Sequence, residues 1–264
     1  MESLAARAAS WRLPLFLGVL ALMLAAETAW AVRPWSQGRA RRLGFHLGLA
    51  AVNGAWTRLL MVGPLLAWTA YVHARGWGAE GLLRLTGWRE VAAGVVALDL
   101  LNYWWHRLNH EVGFFWRFHR AHHVDTHVDT TTALRFHPGE LLLSYGMKAL
   151  WVLAWGPSTA ALVVFEAALT AYAQFHHSNI DLPDRAERLL RLVHMTPRLH
   201  AAHHTAALRT RDMNYGTIFL WWDRLFGTVA DATPEELATL GLPEGRASGL
   251  SPGWFLAAPA RLGP

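Results

Sequence analysis

The chain has no cysteine among its 264 residues. That excludes disulfides, iron–sulfur clusters, thiolate-ligated haem and cysteine zinc sites, so any metal must be held by nitrogen or oxygen. Charge is scarce too. Asp, Glu, Lys and Arg make up 16% of the residues, against about 25% in ordinary soluble domains. No stretch alternates apolar and polar residues well enough to read as a sheet strand. What is present is apolar: 53% hydrophobic residues, with 15 Trp. This balance predicts a membrane protein. The formal net charge of +5 is carried mostly by Arg flanking apolar runs. Anchoring to anionic headgroups explains those Arg better than nucleic-acid binding, so no nucleic-acid partner is expected.

Leu13 to Val32 is long enough to cross a bilayer and reads as a retained first span rather than a signal peptide. Leu43 to Val72 is a second apolar stretch, interrupted by Arg58 and Pro64, and Val91 to Trp105 is a third. Leu141 to Ala154 and Thr159 to Phe175 read as a helical hairpin turning at Gly156 and Pro157. After His176 short polar helices and loops are expected. The stretch RPWSQGRARR carries four Arg and predicts a cytoplasmic loop. Counting spans from there returns His106, and then the hairpin's His176 and His177, to the cytoplasmic side.

Histidine is the exception to this economy of polar groups. Thirteen of the 15 lie between His106 and His204; only His46 and His73 fall outside. HRLNH places His106 and His110 at i and i+4. HRAHH places His119, His122 and His123 at i, i+3 and i+4, and HAAHH repeats this with His200, His203 and His204. Residues three and four apart share a helix face, so each motif is expected to aim its imidazoles at one point. Eight ligands are too many for one ion and suit two, and imidazole alone does not choose among Fe, Zn, Cu and Ni. His176 and His177 are neighbours about 100° apart on a helix, so one of them is expected to ligate, with His177 preferred. Asp99 and Asn102 continue the polar stripe of His106 and His110. Asp99 either fixes a ligand imidazole by accepting its free N–H or pairs with an Arg at the membrane edge. His137, followed by Glu140, is expected to support the site from outside. His46, His73 and His127 read as structural, and His194 as a nearby hydrogen-bonding residue.

These motifs resemble the fatty acid hydroxylase and sterol desaturase superfamily of membrane oxygenases. The resemblance runs from about Asp99 to Thr228. It rests on HRLNHEVGFFWRFHRAHHVDTHVDTTTALRFHPGE, FHHSNIDLP, MTPRLHAAHH and the closing block NYGTIFLWWDRLFGT, with GLPEG in the tail. It implies a dinuclear iron centre that activates O2, with zinc as a possible substitute. The implied ligands are His106, His110, His119, His122, His123, His200, His203 and His204, completed by His177 or His176. Some relatives have a further histidine four residues before the hairpin box; here Tyr172 and Ala173 stand there. Tyr215, Asp223 and Arg224 match the closing block and read as supporting residues. Trp221 and Trp222 either line the substrate path or anchor at the interface.

The expected fold is an all-α integral membrane protein: transmembrane helices and a helical hairpin, with a cytoplasmic, histidine-lined di-metal helical cap. Its regions are 1–90 (membrane spans and loops), 91–230 (the hydroxylase-like catalytic domain) and 231–264 (a Pro/Gly-rich tail). The expected reaction is O2-dependent hydroxylation or desaturation of a lipid, such as a fatty acyl, sterol or other isoprenoid lipid; ether-lipid cleavage uses the same motifs. Electrons must come from a separate donor of ferredoxin or cytochrome type, for which Arg107, Arg117 and Arg120 offer a basic face. The rivals are a membrane zinc hydrolase with Glu111 as its base, and a non-catalytic metal-binding or transport protein.

Overall fold

The computed structural model describes residues 2–35, 38–244 and 249–261, with side chains from Trp11 onward. Ser36 and Gln37 of the basic stretch and Gly245 of GLPEG lie outside the described residues. Among the described residues there is no strand, only isolated bridges such as Ala31 with Ile180. The long helices are α1 (Glu2–Trp30), α2 (Arg39–Thr57), α3 (Gly63–Ala74), then the short α4 (Ala79–Leu83) and the long α5 (Trp88–Glu111). Next come α6 (Gly113–His123), the hairpin α7 (Pro138–Trp155) and α8 (Thr159–His177), and α9 (Asp184–Leu190). Short helices close the chain: α10 (Pro197–His203), α11 (Leu208–Arg211), α12 (Trp221–Leu225), α13 (Pro234–Leu237) and α14 (Pro252–Arg261).

Two segments, Trp11–Trp30 and Arg39–Leu83, are long and apolar enough to cross a membrane. The second is not one regular helix. Arg58–Val62 is a π-helical turn between α2 and α3, placed at the Arg58 and Pro64 interruption. Trp11, Leu22, Leu59 and Leu60 point outward and are exposed, as side chains facing lipid would be. The apolar helices α5, α7 and α8 lie outside these two segments.

The core forms where α3, α5, α7 and α8 meet, around Leu65, Val72, Leu98, Val152, Leu162 and Phe165. The hairpin turn is fixed by glycine. Gly156 ends α7 in the left-handed region at φ +81, and a Cβ there would overlap the carbonyl oxygen of Trp77. Gly78, at φ +87, packs back against Trp155 and Gly156 in the same way. Gly156→Ala therefore combines backbone strain with a steric overlap. It should cost about 1–3 kcal/mol, read as a lower midpoint of thermal unfolding.

Buried polar contacts tie α1 and α2 to the histidine-bearing part. Glu27 Oε1 accepts from the backbone N–H groups of Thr130 and Asn179, each at 2.7 Å. Arg42 makes a forked contact to Asp125 at 2.6 and 2.8 Å and a further bond to Asp129 at 2.8 Å. Within the tail, α14 buries Phe255 and Ala258 against Ala121 of α6.

Candidate metal centre

Four helices bring the histidines together. His106 and His110 come from the last turns of α5, and after a tight corner at Val112 α6 supplies His119, His122 and His123. His177 ends α8, while His200 and His203 sit on α10 with His204 just past its end. Thr196 caps α10 by accepting from Leu199 N–H, and Pro197 occupies its first turn.

The ring nitrogens fall into two groups. His106, His110, His119, His123 and His203 form one; His122, His177, His200 and His204 form the other. Within each group the potential ligand atoms lie within 4.8 Å of one another. This corrects the expectation that each HxxHH motif aims at one point, because both motifs divide. Residues i and i+4 are about 40° apart around a helix, whereas i+3 and i+4 are about 100° apart. His119 and His123 accordingly serve the first group and His122 the second, while His200 and His204 serve the second and His203 the first. His176 belongs to neither group. Its Nδ1 meets the carbonyl oxygen of Thr217 at 3.3 Å, and its ring packs 4.0 Å from that of His200.

Hydrogen bonds on the outer side fix the rings. Nδ1 of His106 donates to Tyr215 O at 2.8 Å, that of His203 to Met213 O at 2.7 Å, and that of His122 to Arg135 O at 3.2 Å. Nδ1 of His177 donates to Ala173 O at 2.7 Å. Two more face carboxylates: His119 meets Glu140 at 2.8 Å and His110 meets Asp212 at 3.1 Å. A carbonyl oxygen only accepts, so each of those imidazoles spends its proton on Nδ1 and presents a bare Nε2 inward.

This assignment provides a test of fit to a metal. Nε2 of His122 and Nε2 of His177 are 3.1 Å apart, yet both rings already donate through Nδ1. Two lone pairs at that separation repel unless a cation lies between them. A second proton does not resolve the conflict, because burial pushes the His122 pKa well below its usual value. The same burial lowers His123, His200, His203 and His204. Nε2 of His177 and His200 are 2.9 Å apart, and those of His119 and His123 are 3.2 Å apart. Neighbouring nitrogens bound at about 2.0–2.1 Å to one ion would lie about 3 Å apart. His110 Nε2, His203 Nε2 and both nitrogens of His204 are buried without partners. The donor set of each group fits a cation held by neutral imidazoles.

The expected supporting residues behave differently. Asp99 touches neither an imidazole nor an Arg. It accepts from the N–H groups of Ile218 and Phe219 at 3.3 and 3.2 Å and from Trp222 Nε1 at 2.9 Å, pinning the closing block to α5. His137 also supports no ligand ring: its Nδ1 accepts from Gly139 N–H and caps α7, and its Nε2 meets Leu256 O. Asn102 donates to Thr217 Oγ1 at 2.7 Å, beside the carbonyl that faces His176. Asp223 accepts from Tyr215 N–H and Gly216 N–H, each at 2.7 Å. It thereby shapes the loop whose carbonyl holds His106. Arg224 donates to Arg191 O at 2.5 Å. Trp222 is occupied by Asp99, and Trp221 is exposed and stacked on Phe219. Glu111 is exposed and paired with Arg107. Arg120 is buried at 7% exposure, so the proposed basic face loses one member; Arg117 remains exposed.

Sequence reasoning missed Glu140 and Asp212 as partners of ring nitrogens. Glu140 had a signal, an acidic residue in the first turn of an apolar helix that begins directly after His137. Glu140→Gln keeps a hydrogen-bond acceptor but removes its charge. It should weaken metal retention about 10–100-fold, measured by competition with a chelator.

Beside the two groups lies a cavity of about 290 Å³. His106, His119, His122, His176, His177 and His200 form its inner wall, and apolar side chains such as Trp105, Leu134, Phe136, Leu141 and Leu169 line much of the rest. Lys148 and Glu166, paired across the hairpin, also face it.

The fatty acid hydroxylase family model matches residues 91–228, the stretch that carries every histidine of both groups. The chain is 28% identical over 153 residues to an ornithine lipid hydroxylase of Rhizobium tropici, covering 58% of this chain and 45% of that protein. It is 30% identical over 141 residues to the alkylglycerol monooxygenase of Homo sapiens, covering 53% of this chain and 30% of that one. With the methylsterol monooxygenase 2-2 of Arabidopsis thaliana it shares 26% over 187 residues, 68% of this chain and 70% of that one. The chain thus spans less than half the length of the first two. No solved structure matches it. The chain belongs to the fatty acid hydroxylase family.

Proposed function

We propose that this protein is a membrane di-iron oxygenase that uses O2 and external electrons to hydroxylate a lipid. The observation that carries the reading is the pair of histidine groups, with bare Nε2 atoms facing one another, set against a largely apolar cavity. An unactivated C–H bond has no acidic proton and no leaving group, so side-chain acids and bases alone do not break it. When bound, a pair of iron ions supplies the redox chemistry that activates O2 and removes hydrogen from carbon. In the balance, one oxygen atom enters the C–H bond and the other leaves as water, with two electrons and two protons consumed.

The chain supplies the rest. His106, His110, His119, His123 and His203 hold one ion, and His122, His177, His200 and His204 hold the other. Glu140, Asp212 and the carbonyls of Met213, Tyr215, Arg135 and Ala173 keep those rings in the tautomer that binds. The apolar walls exclude water and lay a lipid chain beside the centre. Relatives named for acting on ornithine lipid, alkylglycerol and methylsterol support a lipid substrate. The metal site faces the cytoplasm in this reading, and a separate donor of ferredoxin or cytochrome type delivers electrons there, since the chain has no cysteine for a cluster of its own. Anaerobic purification should yield two irons per chain and lipid-dependent dioxygen uptake with a chemical reductant. Zinc in place of iron, no uptake and ester hydrolysis would replace this reading with a hydrolase.

A further inference from the structure

The cavity wall carries polar atoms that nothing in the protein satisfies. Gln174 is fully buried, and neither its Oε1 nor its Nε2 has a hydrogen-bond partner. Asn109 Oδ1 and Glu140 Oε2 are in the same condition. All three residues line the cavity beside the histidines. A buried amide left unpaired is costly, and native proteins rarely keep one without a use for it.

Its position gives the use. Gln174 precedes His177 by one turn on the same face of α8, about 4.5 Å along the axis. Thr130 Oγ1 donates to the Gln174 backbone carbonyl at 3.0 Å, which fixes the residue while leaving its side chain free. A primary amide both donates and accepts. Its complement is a group that does both, a hydroxyl or a secondary amide. A plain hydrocarbon would leave the wall unsatisfied. Further along the same cavity, Glu166 lies about 16 Å from His177 along the axis of α8, which leaves room for an extended chain.

We propose that Gln174 is a substrate-recognition residue: it binds a hydroxyl or amide group a few bonds from the carbon held beside the histidine groups, so the preferred ligand is a lipid functionalised within a few bonds of that carbon. The reference to a reacting carbon rests on the oxygenase reading; the binding preference does not.

The test is equilibrium binding of 1-hexadecanol and of hexadecane to the metal-loaded protein in detergent micelles, by calorimetry, together with thermal unfolding without lipid. The native protein should bind the alcohol about tenfold tighter or more, the worth of one well-made buried hydrogen bond. Gln174→Met should remove most of that difference. It should also raise the unfolding midpoint by roughly 2–4 °C, because an orphaned amide is replaced by an apolar chain of similar length. An unchanged preference in Gln174→Met overturns the proposal. So does a lowered midpoint, which would reveal a structural partner for the amide. Dioxygen uptake measured on the same preparation separates the two readings. A Gln174-dependent preference without uptake keeps this proposal and removes the oxygenase; uptake with a preference indifferent to Gln174 does the reverse.

Discussion

Alanine at His203 or at His122 should abolish lipid oxidation while leaving the protein inserted in the membrane. His203 belongs to the first histidine group and His122 to the second, so in the proposed di-iron reading either change would strip one ion of a ligand. Losing only an outer partner of a ligand typically costs 10–100-fold in metal affinity or activity, and losing the ligand itself should cost more. The two segments long and apolar enough to cross a membrane, Trp11–Trp30 and Arg39–Leu83, contain neither residue. The pair His176 and His177 provides the sharpest contrast. His177 Nε2 lies 3.1 Å from His122 Nε2 and 2.9 Å from His200 Nε2, whereas His176 lies outside both groups. His177→Ala should lose metal, and His176→Ala should retain most of it. Metal analysis of the purified variants checks both. Full metal content and activity in His203→Ala or His122→Ala would show the ligand assignment to be wrong.

Removing the metal should destabilise the fold by a comparably large margin. Without a cation, several buried ring nitrogens face one another as bare lone pairs or stand alone. Ions bound at a thousand times their dissociation constant stabilise a protein by about 4 kcal/mol. For a chain of this size that corresponds to roughly 8–16 °C in the unfolding midpoint. Unfolding curves before chelation, after chelation and after adding ferrous iron back anaerobically should fall and recover by that amount. A midpoint indifferent to chelation would mean that the histidine groups need no ion.

The apolar spans and the hairpin are legible because hydropathy and a Gly–Pro turn are local properties of the chain. Leu141 to Ala154 and Thr159 to Phe175 became α7 and α8 with Gly156 at the turn. The histidine spacing likewise exposes which residues can share a helix face. It does not disclose how α6, α8 and α10 are rotated against one another, and that rotation decides which group each face of an HxxHH motif meets. Asp99 reads as a partner of a ligand imidazole, or of an Arg, because it continues the stripe of His106 and His110 on α5. The closing block from Tyr215 to Thr228 packs across that stripe and takes the carboxylate for its own backbone. Four of the ring partners are backbone carbonyls, which every residue has, so no sequence pattern marks them. Arg120 reads as a surface charge by composition, and only the packing of α6 shows it buried.

The most direct test of lipid oxygenation is a turnover under oxygen-18 gas in ordinary water, with the iron-loaded protein, a chemical reductant and a lipid extract, followed by mass analysis of the lipid products. A hydroxylated lipid carrying one heavy oxygen atom per new hydroxyl is the expected result. A product whose oxygen comes from water, or hydrolysed lipid with no heavy oxygen at all, would contradict it.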